Sequence, residues 1–346
     1  MDTDLRIGIV GAGFIADIVA AALLPASARL VAVASRRPER AEAFAQRHDH
    51  ERGGVRVFES WRELVAWDGL DAVYVATPTA AREPICVAAA LAGKHVLADK
   101  PFVDLPSLQR ITAACRASGV AFMDGTHFVH HPRTAAIKRQ IATAVGTPHS
   151  IASAFCFPSP DRSGIRFDPA SEPTGAFGDM AWYSMRAVVE FAAGDTQPVG
   201  SHTFASRDAA SGAIVRAAGV LRLASGCTAT WDVDYTTGTC LMDLAIRGPG
   251  GALSLDDFVL DWASGFAPPE VAYTVGFTQR TGVVGPSGFA RLATPAEAPQ
   301  VVSMMAHFVA LTRDPQGEAA RASIEASEQT QRLLDAAWET VSITTS

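Results

Sequence analysis

The chain of 346 residues is poor in charge, and what charge it has is mostly acidic. Only 19% of the residues are charged and the formal net charge is −7, so the basic excess that non-specific nucleic-acid binding requires is missing. No apolar stretch is long enough to cross a bilayer without interruption. Hydrophobic residues make up 48% of the chain, which excludes an intrinsically disordered protein. The length predicts two domains or one large one.

Cysteine and lysine are both scarce. The five cysteines are widely spaced and form no CxxC pair, which argues against a disulfide framework or a structural zinc site and favours a reducing, cytoplasmic setting. Asp2 and Asp4 lie where an export signal would be basic, so no such signal is expected. Lysine occurs only at Lys94, Lys100 and Lys138, so a lysine at the end of a strand invites a chemical interpretation.

The first third of the chain alternates apolar strands with helices. Strands are predicted at residues 5–10, 30–34, 55–58, 71–76, 95–98 and 120–123. Helices are predicted between them at residues 14–24, 38–47, 60–66, 80–92 and 106–118. This alternation indicates a parallel, doubly wound α/β sheet of the dinucleotide-binding type, with both faces covered by helices.

The pattern changes at about residue 124. Strands are predicted in a block at residues 201–206, 213–223, 227–235, 240–247 and 252–255. Helices are predicted around them at residues 134–144, 177–193, 299–312 and 318–341. A block of strands flanked by helices predicts an α+β fold. The chain is therefore divided into a nucleotide-binding domain, 1–124, and a second domain, 125–346.

A glycine-rich turn follows the first predicted strand. Gly11, Gly13 and Ala16 form a G-x-G-x-x-A pattern between that strand and the next helix. Gly11 would allow the tight turn, Gly13 the approach of a pyrophosphate, and Ala16 close packing of helix on strand. The N-terminus of the helix would offer N–H groups and a partial positive charge to the phosphates.

The end of the second strand predicts which dinucleotide binds. NAD-binding proteins usually place a carboxylate there to hold the ribose hydroxyls. Here the strand ends in Ser35, Arg36 and Arg37, and no carboxylate is present. Because guanidinium groups bind phosphate bidentately, this end suits a 2′-phosphate and predicts NADP in preference to NAD.

Several short motifs, taken together, resemble the glucose–fructose oxidoreductase, inositol dehydrogenase and rhizopine-catabolism (Gfo/Idh/MocA) family. They are Gly11-Ala12-Gly13-Phe14-Ile15-Ala16, Ala76-Thr77-Pro78, Ala92-Gly93-Lys94-His95-Val96, Asp99-Lys100-Pro101 and Gly175-Ala176-Phe177-Gly178-Asp179-Met180-Ala181-Trp182-Tyr183. The resemblance implies an N-terminal Rossmann domain and a C-terminal α+β domain with a large, mostly antiparallel open sheet. It also implies a homodimer or homotetramer formed through that sheet.

The resemblance implies roles for individual residues. Lys100 matches the active-site lysine of the family, and Asp179 matches its acidic residue. Tyr183 stands where many members carry histidine. In this it is similar to glucose–fructose oxidoreductase, dimeric dihydrodiol dehydrogenase and some nucleotide-sugar ketoreductases, which carry tyrosine at that position. Asp99 replaces the usual glutamate. The cofactor-binding residues implied in this way are Gly11, Gly13, Phe14, Ile15, Ser35, Arg36, Arg37, Thr77, Pro78, Asp99 and Lys100.

The spacing of the matched residues agrees with catalysis. Asp179 and Tyr183 are four residues apart and so share one face of a predicted helix. A tyrosine phenol can exchange a proton at a carbon–oxygen bond, and a nearby lysine cation lowers its pKa. The hypothesis is that Tyr183 exchanges the proton, Lys100 orients the oxygen and Asp179 positions substrate or lysine. Lys100 as the direct proton carrier is the alternative.

Further residues are candidates for contact with the substrate. They are His127, Arg166 and Trp182, although domain packing is an alternative role for Trp182. His127, His130 and His131 have spacings that can bind zinc. The family resemblance places them instead beside a substrate pocket, so no metal is predicted.

The sequence therefore predicts an NADP-dependent oxidoreductase that transfers hydride to or from a secondary alcohol, hemiacetal or carbonyl of a sugar or cyclic polyol. Alternatives are a trans-dihydrodiol dehydrogenase, a nucleotide-sugar ketoreductase, a non-catalytic NADP-sensing regulator and a subunit of a larger assembly. The small-molecule substrate follows from the resemblance. No nucleic-acid or membrane partner is expected.

Overall fold

The computed structural model describes residues 4–49, 54–262 and 274–345. The chain forms two compact units. The first consists of Met1–His127 with Gln300–Glu328, and the second of Phe128–Pro299 with Gln329–Ser346. Within the described ranges, no helix combines the length and the apolar character that crossing a membrane requires.

The first unit contains a six-stranded parallel sheet with the order β3-β2-β1-β4-β5-β6. Its strands are β1 (Leu5–Val10), β2 (Ala28–Ala34), β3 (Arg56–Phe58), β4 (Ala72–Val75), β5 (His95–Ala98) and β6 (Phe122–Asp124). The helices that connect them are α1 (Phe14–Leu23), α2 (Pro38–His48), α3 (Trp61–Ala66), α4 (Thr79–Leu91) and α5 (Leu105–Ser118). The predicted doubly wound α/β sheet is confirmed.

Local signals account for the bounds of these helices. The Ser60 hydroxyl accepts a hydrogen bond from the backbone N–H of Glu63 at 3.3 Å and caps α3. Asp104 caps α5 in the same way, through the N–H of Ser107 at 2.7 Å. Gly119 ends α5 with a φ of +67°, a conformation that favours glycine. Strands β1, β2, β4, β5 and β6 are largely buried, as the apolar runs predicted, whereas the edge strand β3 exposes Arg56 and Val57.

Two helices from the end of the chain complete the first unit. They are α8 (Gln300–Arg313) and the first half of α9 (Glu318–Trp338). Helix α8 packs against α1. On α9, the Ser327 hydroxyl donates to the Asp124 carboxylate at 2.5 Å. The division into functional domains at 1–124 and 125–346 stays a prediction, because compactness alone does not define function.

The second unit contains a nine-stranded sheet with the order β14-β13-β12-β11-β7-β10-β9-β8-β15. Its strands are β7 (Ser150–Cys156), β8 (Pro198–Arg207), β9 (Ile214–Leu223), β10 (Thr228–Asp234), β11 (Leu241–Gly248), β12 (Gly251–Leu255), β13 (Gly276–Arg280), β14 (Ala290–Ala293) and β15 (Val341–Thr345). The remaining helices are α6 (Pro132–Gln140) and α7 (Trp182–Phe191). All neighbouring pairs are antiparallel except β7 with β10 and β8 with β15. The predicted mostly antiparallel sheet is confirmed.

Some elements of the second unit differ from the prediction. Strands β7, β13, β14 and β15 were not predicted, and the predicted helix at 318–341 ends at Trp338. The two helices predicted at 134–144 and 177–193 each contain a π-helical turn, at Ile141–Val145 and Phe177–Ala181. Strand β7 is rich in serine and alanine, which have low strand propensity, so its place in the middle of the sheet depends on its neighbours.

Candidate functional site

The predicted cofactor-binding residues meet at one edge of the first sheet. Residues 11–15 follow β1, 35–37 follow β2, 77–78 follow β4, and 99–100 follow β5. The four strands are adjacent in the order β2, β1, β4, β5, and all of them run parallel. The direction in which the chain crosses the sheet reverses between β1 and β4. In open α/β sheets such a reversal, beyond the carboxyl ends of the strands, is where ligands bind.

The glycine turn fits a dinucleotide. Gly11 has a φ of +110°, and a Cβ atom there would lie 2.4 Å from the carbonyl oxygen of Ala76, so no larger residue fits. A Cβ at Gly13 would meet no atom within 4 Å. Gly13 is the N-cap of α1 and, because it has no side chain, it provides no side-chain cap and leaves open space before the first turn. A pyrophosphate could occupy that space.

The end of β2 carries two exposed arginines, Arg36 and Arg37, and half-buried Ser35. The backbone N–H of Arg37 donates to the Ser35 hydroxyl at 3.4 Å. Within the described ranges, neither guanidinium forms an ion pair with a carboxylate. Both therefore retain their donors for a phosphate.

The loop after β4 is held by an arginine that the sequence analysis did not select. Arg82, on α4, is buried, and its Nη2 donates to the carbonyl oxygen of Thr77 at 2.5 Å. Its Nη1 donates to the carbonyl oxygen of Pro101. The hydroxyl of Thr77 is buried and has no hydrogen-bond partner among the described residues. Such a group fits a ligand that would supply the partner.

Asp99 is held at the end of β5 by a buried tyrosine. The Tyr74 hydroxyl, on β4, donates to Asp99 Oδ1 at 3.1 Å. A Cβ at Gly125 would lie 3.0 Å from the same carboxylate oxygen, so the glycine allows the chain to pass close to Asp99. The orientation of the residue before Lys100 is therefore fixed from two sides.

His127 is buried in the first unit, and its Nδ1 lies 2.6 Å from Nε2 of Gln300, at the start of α8. Burial, with a contribution from the Lys100 cation, lowers the pKa of His127 to about 3. The imidazole is thus neutral at physiological pH. Its predicted contact with substrate stays a prediction.

In the second unit, Asp179 lies at the centre of a polar cluster. The hydroxyl of Tyr235, which directly follows β10, donates to Asp179 Oδ2 at 2.9 Å. The Nε of Arg166 donates to the same oxygen at 3.3 Å. The Arg166 guanidinium also lies over the Tyr235 ring, 5.6 Å from its centroid. Arg166 was predicted from sequence, and Tyr235 was not. A tyrosine at the end of a predicted strand was the available signal.

The groups of this cluster shift one another's pKa values. Burial, and then the Asp179 charge, raises the pKa of the Tyr235 phenol well above its usual range. The Asp179 charge also raises the pKa of Arg166. Tyr235 consequently remains a protonated donor, and Arg166 remains a cation, at neutral pH.

Tyr183 lies in the first turn of α7 and is 6% exposed. Its ring packs against those of Phe155 and Phe128, with centroid distances of 5.4 and 6.3 Å. Trp182 is fully buried, which agrees with the packing alternative given for it. A Cβ atom at Gly175 would collide with the carbonyl oxygen of Ile214 at 2.3 Å. Close packing on β9 therefore requires this glycine.

A second histidine, His131, has a structural role. His131 Nδ1 accepts a hydrogen bond from the backbone N–H of Arg133 at 3.0 Å and caps α6. Burial lowers its pKa to about 4. No group of three or more potential metal ligands among histidine, cysteine and acidic residues was found in the described ranges.

These features define a dinucleotide-binding fold joined to a large open sheet that carries a carboxylate–tyrosine cluster. A model of an oxidoreductase family with an NAD-binding Rossmann fold, GFO_IDH_MocA, matches residues 5–126. A model of the GFO/IDH/MocA C-terminal domain matches residues 134–254. The chain belongs to the Gfo/Idh/MocA family of oxidoreductases, and the resemblance stated from the sequence is confirmed.

Individual relatives agree with this membership. The chain is 34% identical over 215 residues to a dTDP-3,4-didehydro-2,6-dideoxy-alpha-D-glucose 3-reductase of Actinomadura kijaniata, covering 59% of this chain and 61% of the relative. It is 33% identical over 239 residues to D-xylose 1-dehydrogenase (NADP(+)) 2 of Haloferax volcanii, covering 67% and 70%. The crystal structure of KijD10, a 3-ketoreductase from Actinomadura kijaniata in complex with NADP and TDP-benzene, matches with a TM-score of 0.85 at 25% identity, covering 99% of both chains.

Proposed function

We propose that the protein is an NADP-dependent oxidoreductase that acts on a secondary alcohol, hemiacetal or carbonyl group of a sugar or sugar-like cyclic polyol. One observation carries the proposal: four neighbouring loops bring a helix N-terminus without a side-chain cap, two arginines that form no ion pair among the described residues, and Lys100 to the same sheet edge. That combination suits a phosphorylated dinucleotide beside a reactive lysine.

The choice of NADP rests on Ser35, Arg36 and Arg37. The two exposed guanidiniums provide the charge that a 2′-phosphate needs, and no carboxylate at the end of β2 competes for the ribose. Two of the relatives agree with this choice, because one is named as NADP(+)-dependent and the other was crystallised with NADP.

The cofactor, when bound, supplies or accepts the hydride. The protein contributes orientation and proton transfer. We assign Tyr183 to hold or accept the proton on the substrate oxygen and Lys100 to orient that oxygen. Asp179 is assigned to position the substrate hydroxyls or the lysine. Lys100 as the direct proton carrier remains the alternative assignment.

Relatives favour a keto-sugar or aldose as the substrate class. One is named as a 3-reductase of a nucleotide-linked dideoxy sugar, and another as a xylose dehydrogenase. The second candidate within this function is therefore a nucleotide-sugar ketoreductase. The matched region spans about three fifths of the named 3-reductase, so its substrate enters here only as a candidate.

The test is nicotinamide absorbance with purified protein, NADPH or NADP, and a panel of keto-sugars, aldoses, inositols and trans-dihydrodiols. Tyr183→Phe runs beside the wild type. Removing a general acid–base should lower turnover by about 10² to 10⁴-fold. Binding of NADPH, followed by its fluorescence, should change little. Equal turnover by the variant would refute the role of Tyr183. Binding without turnover of any substrate would favour the NADP-sensing alternative.

We also propose that the protein assembles with itself through the open sheet. Phe204 on β8 is 62% exposed and Val220 on β9 is 41% exposed. Phe204 pairs with Ala218 and His202 pairs with Val220, so these side chains lie on one face of the sheet. Phe204→Asp should shift the sedimentation coefficient towards the monomer. An unchanged coefficient would refute assembly through this face. A cytoplasmic location stays a prediction.

A further inference from the structure

Arg82 connects two loops of the candidate site. Its guanidinium lies between the segment that follows β4 and the segment that follows β5. One nitrogen donates to the carbonyl oxygen of Thr77 at 2.5 Å, and the other donates to the carbonyl oxygen of Pro101 and, at 3.4 Å, to the hydroxyl of Thr79. The two carbonyl groups flank, respectively, the Thr77-Pro78 pair and Lys100.

The bridge is buried and carries a charge. Arg82 is 3% exposed, and in the part of the chain that the structure describes no carboxylate forms an ion pair with it. Its two terminal nitrogens donate to neutral oxygens, and its Nε has no hydrogen-bond partner among the described residues. A buried cation usually has a counter-ion, so retaining one here without any needs an explanation.

Geometry supplies that explanation. Strands β4 and β5 are parallel neighbours, and no backbone hydrogen bonds of the sheet extend to Thr77 or Pro101 beyond their ends. A planar guanidinium presents donors in a fixed fork, so it can fix the separation between two carbonyl groups, which a lysine ammonium cannot do to the same extent. Charge-assisted hydrogen bonds to the backbone would limit the motion of both loops.

We propose that Arg82 is a positioning residue that sets the distance between the Thr77-Pro78 loop and the Lys100 loop. It acts through the backbone of both segments. This inference rests on the proposed function, in which the first loop contacts the cofactor and Lys100 orients the reacting oxygen. A change at Arg82 would displace the two groups relative to each other while leaving each of them present.

The experiment compares Arg82→Met and Arg82→Lys with the wild type. Methionine preserves length without charge, and lysine preserves charge without the fork. The matched control is Ile85→Val, a buried position on the same helix that contacts the core and carries no polar group. We expect both arginine variants to lower kcat by about ten-fold or more, corresponding to the loss of one or two charge-assisted bonds, with a smaller change in KM for the sugar.

A readout independent of turnover is amide hydrogen exchange. Exchange in peptides covering residues 76–82 and 99–105 should rise in both arginine variants and stay near the wild-type rate in Ile85→Val. An exchange rise restricted to Arg82→Met, with Arg82→Lys like the wild type in exchange and kcat, would overturn the bridge in favour of charge alone. Exchange in the arginine variants that matches the control would also overturn it.

The two proposals fail differently. Wild-type protein that binds no NADPH would refute the proposed function, whereas the exchange comparison would still report whether Arg82 holds the loops. Wild-type protein that binds and turns over, with arginine variants indistinguishable from Ile85→Val in kcat, would refute the inference alone.

Discussion

Each of the two units contains one predicted site carboxylate that accepts a hydrogen bond from a buried tyrosine. In the first unit Tyr74 donates to Asp99 at 3.1 Å, and in the second Tyr235 donates to Asp179 at 2.9 Å. The surroundings differ. Asp99 lies in a loop held by backbone geometry, through Gly125 and the parallel strands, whereas Asp179 shares one of its oxygens between a phenol and the Arg166 guanidinium.

The difference separates two ways of fixing a site. The first unit positions its residues by the shape of the main chain, so that glycines and a buried arginine on carbonyl groups decide where ligands lie. The second unit positions Asp179 by side chains, a neutral phenol and a guanidinium, so that its geometry depends on those two hydrogen bonds. Substitutions of Gly11 and Gly13, which shape the main chain of the dinucleotide loop, should therefore act mainly on folding and cofactor binding, and substitutions around Asp179 mainly on turnover.

The largest expected effect is at Gly11. Gly11→Ala places a Cβ 2.4 Å from the Ala76 carbonyl oxygen at a φ of +110°, so we expect a loss of at least about 2 kcal/mol in the free energy of unfolding and loss of NADPH binding. Urea denaturation and NADPH fluorescence measure both.

Gly13→Ala is the matched control, since its Cβ meets nothing within 4 Å. It should fold like the wild type but bind NADPH more weakly, because the methyl group occupies the space of the phosphate. Normal stability in Gly11→Ala would contradict the dominance of main-chain shape in the first unit.

The first sheet was predicted well from the sequence because local residues determine where each of its strands and helices begins and ends. Apolar runs of four to seven residues, caps such as Ser60 and Asp104, and the glycine after α5 all act within a few residues of their effect. The return of α8 to the first unit is not encoded in this way. It depends on contacts between residues about 290 positions apart, which no local pattern reports.

The second sheet was predicted only in part, because it too depends on contacts between residues that are far apart in the sequence. Strand β7 is rich in serine and alanine and becomes a central strand only because β10 and β11 pair with it. The motif match located Asp179, but its partner Tyr235 lies 56 residues away, and Arg82 binds carbonyl groups, which leave no trace in side-chain patterns. Long-range hydrogen bonds were thus the part beyond sequence reasoning.

Lowering the pH should destabilise both units, because each contains a buried histidine. His127 in the first and His131 in the second have pKa values lowered to about 3 and about 4 from 6.5. As the pH falls, the two imidazoles are protonated in the unfolded chain at a higher pH than in the folded one. The stability that the neutral imidazoles contribute is therefore complete above pH 6.5 and is lost as the pH falls towards 4 for His131 and 3 for His127. We expect each histidine to lower the free energy of unfolding by roughly 2 kcal/mol near pH 5, relative to its contribution above pH 6.5.

His131→Asn removes one of these titrations and keeps a cap for α6. The variant should lose less stability than the wild type between pH 7 and 5 in urea denaturation, with similar stability at neutral pH. Parallel pH profiles for the two proteins would show that the second unit does not depend on this buried, neutral imidazole.

The exposed arginines after β2 should give a smaller, selective effect. In the double variant Arg36→Ala, Arg37→Ala we expect NADP binding to weaken by about 10- to 30-fold, because two exposed phosphate contacts are lost, while NAD binding changes little. Titration with both dinucleotides measures this. The loss for NADP should shrink at high salt. Equal losses for NADP and NAD would mean that the arginines act on the loop and not on the 2′-phosphate.

The smallest effect is the sharpest comparison of the two units, since the same atom is removed from each. Tyr74→Phe and Tyr235→Phe both delete a buried hydroxyl that donates to a carboxylate. Each hydrogen bond to a charged group is worth about 1.5 kcal/mol or more, so the expected change is about ten-fold. Tyr74→Phe should raise KM for NADPH, because Asp99 belongs to the cofactor side. Tyr235→Phe should lower kcat with little change in that KM, because Arg166 alone then orients Asp179. Steady-state kinetics of both variants measure kcat and the KM for NADPH. If both variants changed the same parameter, the distinction between a unit positioned by its main chain and a unit positioned by its side chains would be lost.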